Sequence, residues 1–198
     1  HHTDGNGFSI DIGKEKGGAE VYNNIAHSNG GRGLDIMNTA NVRLHHNTFY
    51  NNSLDPTMIA YGEVSIAGDA APKGLEVHDN ILVARNKNIP LVVWGNINPS
   101  LINSDYNIFF NQDNLRTAVS MISQKKSFTL KEWKRISGNE LNSSYINPDF
   151  FDPVESNFTL KKNSPAIGSG SNNRLPVNYY SGKKRHMHQK IIGAESIK

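Results

Sequence analysis

Short apolar runs separated by polar corners fill the first 110 residues, and one corner recurs four times. Each copy places an asparagine before a β-branched residue: Asn24-Ile25, Asn47-Thr48, Asn80-Ile81 and Asn107-Ile108. The intervals between the asparagines are 23 residues (47 − 24), 33 (80 − 47) and 27 (107 − 80). Repeats of this length, with insertions of unequal size, indicate a solenoid that stacks one supersecondary unit per repeat.

The apolar runs are too short and too rich in β-branched residues for helix pairs. Residues 8–12 and 63–66 alternate apolar and polar side chains, which is typical of half-buried strands. The sequence therefore predicts an all-β fold, a right-handed parallel β-helix. We expect the recurring asparagines to form a ladder of paired amides, because asparagine tolerates left-handed corners and bonds neighbouring backbone groups. The same stacking accounts for His45, His46 and His78 better than a zinc site does.

The pattern changes after about residue 112. Thr129 and Glu132 have capping-box spacing, and Gly138 supplies a stop, so residues 129–137 are predicted to form one short amphipathic helix. We expect residues 1–112 to be β-helix coils, and 113–198 to add the last coil, the helix and an irregular cap within the same domain. The helix should pack outside the solenoid while the proline-punctuated tail covers its last coil. Since a solenoid needs a terminal cap and nothing amphipathic precedes Asp4, we also expect further N-terminal coils.

Composition narrows the function classes only a little. Without cysteine, disulfides and thiolate metal sites are excluded, and no run approaches the length of a membrane-spanning helix. The net charge of +3 is modest and unevenly spread. We expect a monomer that has no nucleic-acid partner and no membrane span. A basic stretch near the C-terminus is interpreted as a solvated loop, with docking of an acidic polymer as the alternative: Lys183, Lys184, Arg185, His186, His188 and Lys190.

Several motifs together carry a family resemblance. They are residues 4–8 (DGNGF), 29–35 (NGGRGLD), 47–52 (NTFYNN) and, towards the C-terminus, 147–150 (NPDF) and 164–168 (SPAIG). The chain resembles the pectate-lyase-like right-handed β-helix proteins, and within them the calcium-dependent pectate lyases of polysaccharide lyase family nine. The resemblance implies an acidic, uronate-containing polysaccharide as substrate, β-elimination as reaction and calcium as cofactor. It also implies a bacterial protein that is secreted, periplasmic or on the cell surface.

One position departs from that family pattern. A lysine that serves as the catalytic base follows the DGNGF motif in the family, whereas this chain has Ser9. In the family, the aspartates that bind calcium lie on coils that none of the motifs of this chain matches. A mechanism for this chain must therefore be built from its own side chains.

Strand alternation predicts which side chains share one outer face. If Phe8, Ile10 and Ile12 point inward, Ser9 and Asp11 point outward. Aligning residues 7–9 with residues 33–35 of the next coil places Asp35 beside Ser9, roughly 4.8 Å away. The same register places Arg32 next to Asn6, and Asp11 diagonal to Asp35. Two close carboxylates can share a cation or divide into an acid and a base.

These considerations define the candidate site. The candidate catalytic residues are His2, Asp4, Asp11, Arg32 and Asp35, and the candidate substrate-binding residues are Asn6, Lys14 and Lys16. Three functions remain open: a polysaccharide lyase, a glycoside hydrolase with two carboxylates roughly 5 to 10 Å apart, and a non-catalytic glycan-binding surface protein. Binding of nucleic acid or a membrane surface through the basic stretch has the least support.

Overall fold

A computed structural model describes residues 5–57, 62–113, 115–172, 175–185 and 190–197. Within these ranges the chain forms seventeen strands and one α-helix. The strands are β1 (Phe8–Lys14), β2 (Ala19–Tyr22), β3 (Ile25–His27), β4 (Leu34–Thr39), β5 (Val42–His45), β6 (Thr48–Tyr50), β7 (Gly62–Ala67), β8 (Glu76–His78), β9 (Ile81–Ala84), β10 (Ile89–Val93), β11 (Asn103–Asp105), β12 (Ile108–Asn111), β13 (Thr117–Met121), β14 (Lys126–Thr129), β15 (Ser144–Tyr145), β16 (Phe150–Asp152) and β17 (Asn157–Leu160).

Successive coils add one strand to each of three sheets. The first sheet has the order β1-β4-β7-β10-β13-β14, the second β2-β5-β8-β11, and the third β3-β6-β9-β12-β15. All pairs within them are parallel except β13 with β14, which closes the first sheet in antiparallel fashion. The result is a parallel β-solenoid of about four turns, and the predicted β-helix is confirmed at this level.

The core of the solenoid follows from strand alternation. Leu34 and Ile36 of β4 stack on Val64 and Ile66 of β7, and all four are fully buried. The prediction that Ile12 also points inward is wrong, because Ile12 has a φ of 60° and is 72% exposed. The register of β1 against β4 shifts beyond Asp11, and this irregularity turns the β-branched side chain out of the core.

The recurring asparagines form the expected ladder. The side-chain amide of Asn24 donates to Oδ1 of Asn47 at 3.1 Å, Asn47 donates to Asn80 at 3.0 Å, and Asn80 donates to Asn107 at 3.1 Å. Each acceptor oxygen also receives the backbone N–H of the preceding asparagine in the ladder. The side-chain amides of Asn47, Asn80 and Asn107 also donate to backbone carbonyl groups of the strands, so the buried amides are paired.

The ladder ends on a buried carboxyl group that the repeat analysis did not predict. Asn107 donates to both oxygens of Glu140, at 3.2 and 3.1 Å. A second, shorter ladder at the next corner runs from Asn29 to Asn52 and ends in the same way. There the side-chain amide of Asn52 donates to Glu63 at 2.6 Å, and its backbone N–H contacts the same carboxyl group.

The helix α1 (Leu130–Ser137) forms with both capping-box hydrogen bonds at Thr129 and Glu132, and Gly138 terminates it at a φ of 74°. Its packing differs from the expectation, because Trp133 is fully buried within the hydrophobic core of the coils. The helix therefore covers the end of the core. Among the described residues, no helix has the length and hydrophobicity needed to span a bilayer.

After β15, which extends the third sheet by one strand, the tail runs back along the outside of the solenoid. Phe150 and Phe158 pack against Ile81 and Ile108 on the outer side of the third sheet. Arg185, expected to be solvated, is buried and donates to Asn23 Oδ1 at 3.0 Å and to the Gly193 carbonyl oxygen at 2.7 Å. The solvated-loop interpretation is therefore wrong for Arg185; His186 and His188 lie outside the described residues.

We predict that Asn80→Ala strongly destabilises the solenoid. The substitution removes the acceptor of two buried Asn47 N–H donors and the donor to Asn107. Since each buried polar group left unpaired costs about 1–3 kcal/mol, the free energy of unfolding should fall by about 3 kcal/mol or more. Urea unfolding would measure this, with the exposed Asn163→Ala as matched control. If Asn80→Ala lowered the free energy of unfolding no more than Asn163→Ala does, the stabilising role of the ladder would be refuted.

Candidate functional site

The register of β1 and β4 brings most of the described candidate residues to one face. Ser9 pairs with Asp35, as expected. Asn6 contacts Arg32 by accepting its backbone N–H at 2.8 Å, and Asn6 also donates to Ser9 Oγ at 3.2 Å. Asp11 is exposed on the same outer row, diagonal to Asp35. The remaining candidates, His2 and Asp4, lie outside the described residues.

Arg32 and Asp35 form an ion pair in a largely buried setting. Arg32 Nη1 lies 3.7 Å from Asp35 Oδ2, and the two side chains are only 12% and 9% exposed. The second oxygen of Asp35 and Oγ of its register neighbour Ser65 are buried and have no hydrogen-bond partner among the described residues. Asp11 is thus the described carboxylate of this face that solvent and a polymer can reach, while Asp35 is engaged by a cation of the protein itself.

A cavity of about 600 Å³ continues this face beyond the end of β1. It is lined by Lys14 and Lys16, which the sequence analysis proposed for substrate binding, and by Lys73 from the turn after β7. Lys73 forms an ion pair with Glu15, and its hydrogen bond and charge lower the pKa of that carboxyl group. With three lysines against the carboxylates of Glu15 and Asp69, the ionised side chains of the cavity carry a net charge of +1.

Lys73 could not be recognised from sequence spacing. It lies 57 positions after Lys16 (73 − 16), in a turn inserted between two repeats. The backbone N–H of Asn41 donates to the Lys73 carbonyl oxygen at 2.7 Å, and this bond fixes the turn against the preceding coil. The signal that could have found it is the alignment of the turns that follow β1, β4 and β7.

The family resemblance implies a calcium site, which would need several carboxylate or other oxygen ligands close together. The part of the chain that the structure describes contains no group of three or more His, Asp or Glu side chains arranged to hold a metal ion. The calcium implied by the family resemblance therefore stays a prediction without an assigned set of ligands.

At the asparagine corner, the ring of His45 packs against two other aromatic rings. His45 stacks on Tyr22 with ring centroids 5.2 Å apart and an interplanar angle of 3°, and it meets the edge of His46. Burial, with smaller contributions from the charges of Arg185 and His45, lowers the pKa of His46 to about 2, so this ring is neutral at physiological pH. Stacking, expected for these residues, is observed for His45.

The sequence did not indicate the buried carboxyl groups of the structure, whose pKa values are raised. Burial raises the pKa of Glu63 to about 8, that of Glu140 to about 7 and that of Asp79 to about 6. Hydrogen bonds offset part of this rise in pKa: Asn52 donates to Glu63, Ser143 and Asn107 donate to Glu140, and Ser171 donates to Asp79. A signal existed for Glu140, because it follows Asn107 by 33 residues (140 − 107), which equals one of the repeat intervals.

We predict that Arg32→Ala destabilises the protein by about 3 kcal/mol, because it leaves the Asp35 carboxylate buried without its cation. The combined change Arg32→Met with Asp35→Leu should recover part of this loss. Equilibrium urea unfolding gives both values. As matched control, Lys161→Ala breaks an exposed pair with Asp149 and should cost less than about 1 kcal/mol. Equal effects of the two single substitutions would refute the structural importance of the Arg32–Asp35 pair.

We predict that Glu140→Gln changes the pH dependence of stability. The folded state holds the Glu140 proton up to a pKa of about 7, whereas the unfolded state releases it near the ordinary glutamate pKa of 4.5. Stability contributed by the neutral acid is therefore full below pH 4.5 and is lost as the pH rises towards 7. Since glutamine stays neutral, the variant should gain about 2–3 kcal/mol relative to wild type between pH 5 and pH 8.

Urea unfolding of both proteins across this pH range would measure that gain. Glu155→Gln, at an exposed position, is the control and should leave the pH profile unchanged. A difference between Glu140→Gln and wild type that stays constant with pH would show that Glu140 is ionised in the folded protein throughout the range.

Comparison of the chain with protein-family models, with curated proteins and with solved structures gives no significant match. The resemblance to polysaccharide lyases therefore depends on the short motifs alone. The β-solenoid is established by the structure itself, independently of any relative. Function must be argued from the two features of the β1 face, the reachable Asp11 and the lysine cavity beside it.

Proposed function

We propose that this protein binds an acidic, uronate-containing polysaccharide along the outer face of β1 and cleaves it by β-elimination. The observation that carries the proposal is the lysine cavity formed by Lys14, Lys16 and Lys73 directly beyond Asp11. Exposed ammonium groups recognise repeated carboxylates, and a net positive cavity draws a polyanion towards the face. Polymers of this kind occur outside cells, so the proposal includes an exported or surface-located protein.

β-Elimination makes two demands on such a face. A base must remove the proton α to the uronate carboxyl group, and a cation must stabilise the negative charge that develops on that carboxyl group. The electron pair of the broken C–H bond then forms a double bond between the α and β carbons. The glycosidic oxygen leaves the β carbon with the electron pair of the C–O bond and takes a proton from water. We assign proton removal to Asp11 and charge stabilisation to Lys14 and Lys16.

The other candidates of this face support the reaction indirectly in this proposal. Arg32 and Asp35 neutralise each other under the outer surface. Asn6 is bound to both the Arg32 backbone and Ser9, so it fixes the start of β1 relative to β4. These contacts set the position of the Ser9–Asp11 row, over which the sugar rings would lie. Ser9, which stands where the family has its lysine base, can donate a hydrogen bond but does not replace that base.

The two alternatives differ in their products. A glycoside hydrolase on this face would need a second carboxylate free to act, and Asp35 is engaged by Arg32. A non-catalytic glycan-binding protein would use the same lysine cavity and release nothing. A lyase leaves an unsaturated sugar that absorbs in the ultraviolet, whereas a hydrolase releases reducing ends without that absorbance.

We predict that Lys14→Ala with Lys16→Ala weakens binding to polygalacturonate or alginate at least tenfold, because the cavity loses two of its three cations. Affinity electrophoresis in gels that contain each polymer measures the effect. Lys162→Ala, an exposed lysine elsewhere on the surface, is the matched control and should bind as wild type does. Asp11→Asn should retain binding and abolish any rise in ultraviolet absorbance.

Three outcomes would decide between the functions. Binding that responds to the lysine variants, with ultraviolet-absorbing products, supports the lyase. Binding without products reduces the function to glycan recognition. Wild-type protein that binds none of the uronate polymers, or binds them equally well after loss of Lys14 and Lys16, would refute the proposal.

A further inference from the structure

A second concave surface lies on the outer side of the second sheet, away from the lysine cavity. Two rows of side chains cross it at right angles to the strands. One row is Glu20, Arg43, Glu76 and Asn103, and the other is Tyr22, His45, His78 and Asp105. Because these residues are register neighbours on parallel strands, successive members of a row are spaced by roughly 4.8 Å. We call this surface the second-sheet groove.

The groove is continuous and large enough for several sugar rings. It consists of three adjoining cavities of about 590, 450 and 550 Å³. Arg43 and Glu76 line the first two, Glu20 links the second to the third, and His45 links the third to the first. A chain-like ligand could therefore lie across the strands without leaving the groove.

The C-terminal tail forms one wall of this groove. Asp79 anchors it by accepting the backbone N–H of Ser171 at 2.7 Å and the Ser171 hydroxyl at 2.6 Å. Further along, the Asn23 amide donates to the Asn178 carbonyl oxygen at 2.8 Å. Pro176 and Val177 line the third cavity together with Tyr22. The wall thus brings apolar groups to one side of an otherwise polar groove.

The charges of the groove favour a neutral ligand over the polyanion proposed for the β1 face. In the first row, the carboxylates of Glu20 and Glu76 flank the guanidinium of Arg43, which gives a net charge of −1 where the lysine cavity has +1. Arg43 lies 3.8 Å from Glu76 and is half exposed, so its donors remain accessible. Alternating donors and acceptors at strand spacing suit the hydroxyl groups of a neutral sugar chain.

Tyr22 and His45 provide the apolar surface that a sugar ring also needs. Tyr22 is 48% exposed and stacked on His45. His45 is itself held by Nε2 at 3.2 Å from Glu20 Oε1 and by Nδ1 at 3.2 Å from His46 Nδ1. These contacts fix the orientation of Glu20 and Tyr22. A pyranose ring offers polar hydroxyl edges and apolar C–H faces, and this part of the groove presents both kinds of partner.

We infer that the second-sheet groove binds a neutral oligosaccharide, with Arg43 and Glu20 contacting hydroxyl groups and Tyr22 packing against a ring face. The site is separate from the lysine cavity, and the inference does not depend on the proposed lyase activity. A protein with both sites would hold a neutral glycan on one face and an acidic polymer on another.

The test uses hexasaccharides of β-1,4-linked glucose, mannose and xylose as probes. Titration of each into ¹⁵N-labelled protein, followed by amide chemical shifts, should perturb signals around Arg43, Asn103 and Asn172 and leave those around Lys14 and Lys16 unchanged. Arg43→Gln and Tyr22→Ser should each weaken binding of the responding sugar at least fivefold. Arg135→Gln on the exposed side of α1 is the matched control.

The outcomes separate this inference from the proposed function. Shift changes confined to the groove with a neutral sugar, lost in the Arg43 and Tyr22 variants, support it whatever the uronate assays show. No response to any of the three probes at millimolar concentration would overturn it. So would a groove that responds to oligogalacturonate in preference to neutral sugars, or binding unaffected by both variants while thermal melting shows them folded.

Discussion

The structure depends on the pairing of buried amides at the corner between the second and third sheets. A parallel β-helix must turn its chain sharply at the same place in every coil, and each turn leaves backbone donors and acceptors away from water. The asparagines satisfy them by donating to backbone carbonyl groups of their own coil and of the preceding coil, and to the side-chain oxygen of the asparagine in the next coil. This one-directional chain of donors fixes the register, and the register then places every outward side chain.

The direction of the ladder explains why it ends on a carboxyl group. Every asparagine in it donates towards the C-terminal coils, so the last amide, Asn107, needs an acceptor that no further asparagine supplies. Glu140 provides two oxygens at this point, and Glu63 does the same for Asn52 in the second ladder. Burial keeps both groups protonated up to near neutral pH. The ends of the ladders are therefore neutral acids that accept amide hydrogen bonds without a buried full charge.

The sequence was sufficient wherever a repeat or an alternation carried the information. The intervals of the asparagines predicted the ladder, and aligning residues 7–9 with 33–35 predicted the contact of Ser9 with Asp35. It was insufficient where structure arises from the meeting of distant, unrepeated segments. Lys73 enters its cavity from an inserted turn, and the tail returns along the third sheet because Phe150 and Phe158 find apolar residues exposed there. Nothing local to those residues encodes the destination.

The same reasoning separates the two outer faces. Where no other segment packs on it, the outer face of a β-helix sheet presents rows of side chains that form an elongated surface at fixed spacing. The face of the first sheet has a cation-rich end, while that of the second sheet alternates Glu20, Arg43 and Glu76 and is walled by the tail. Two anchors hold the tail beside this second face: the Ser171 backbone N–H donates to Asp79, and the Asn23 amide donates to the Asn178 carbonyl oxygen. They hold the wall that turns an open sheet into a groove.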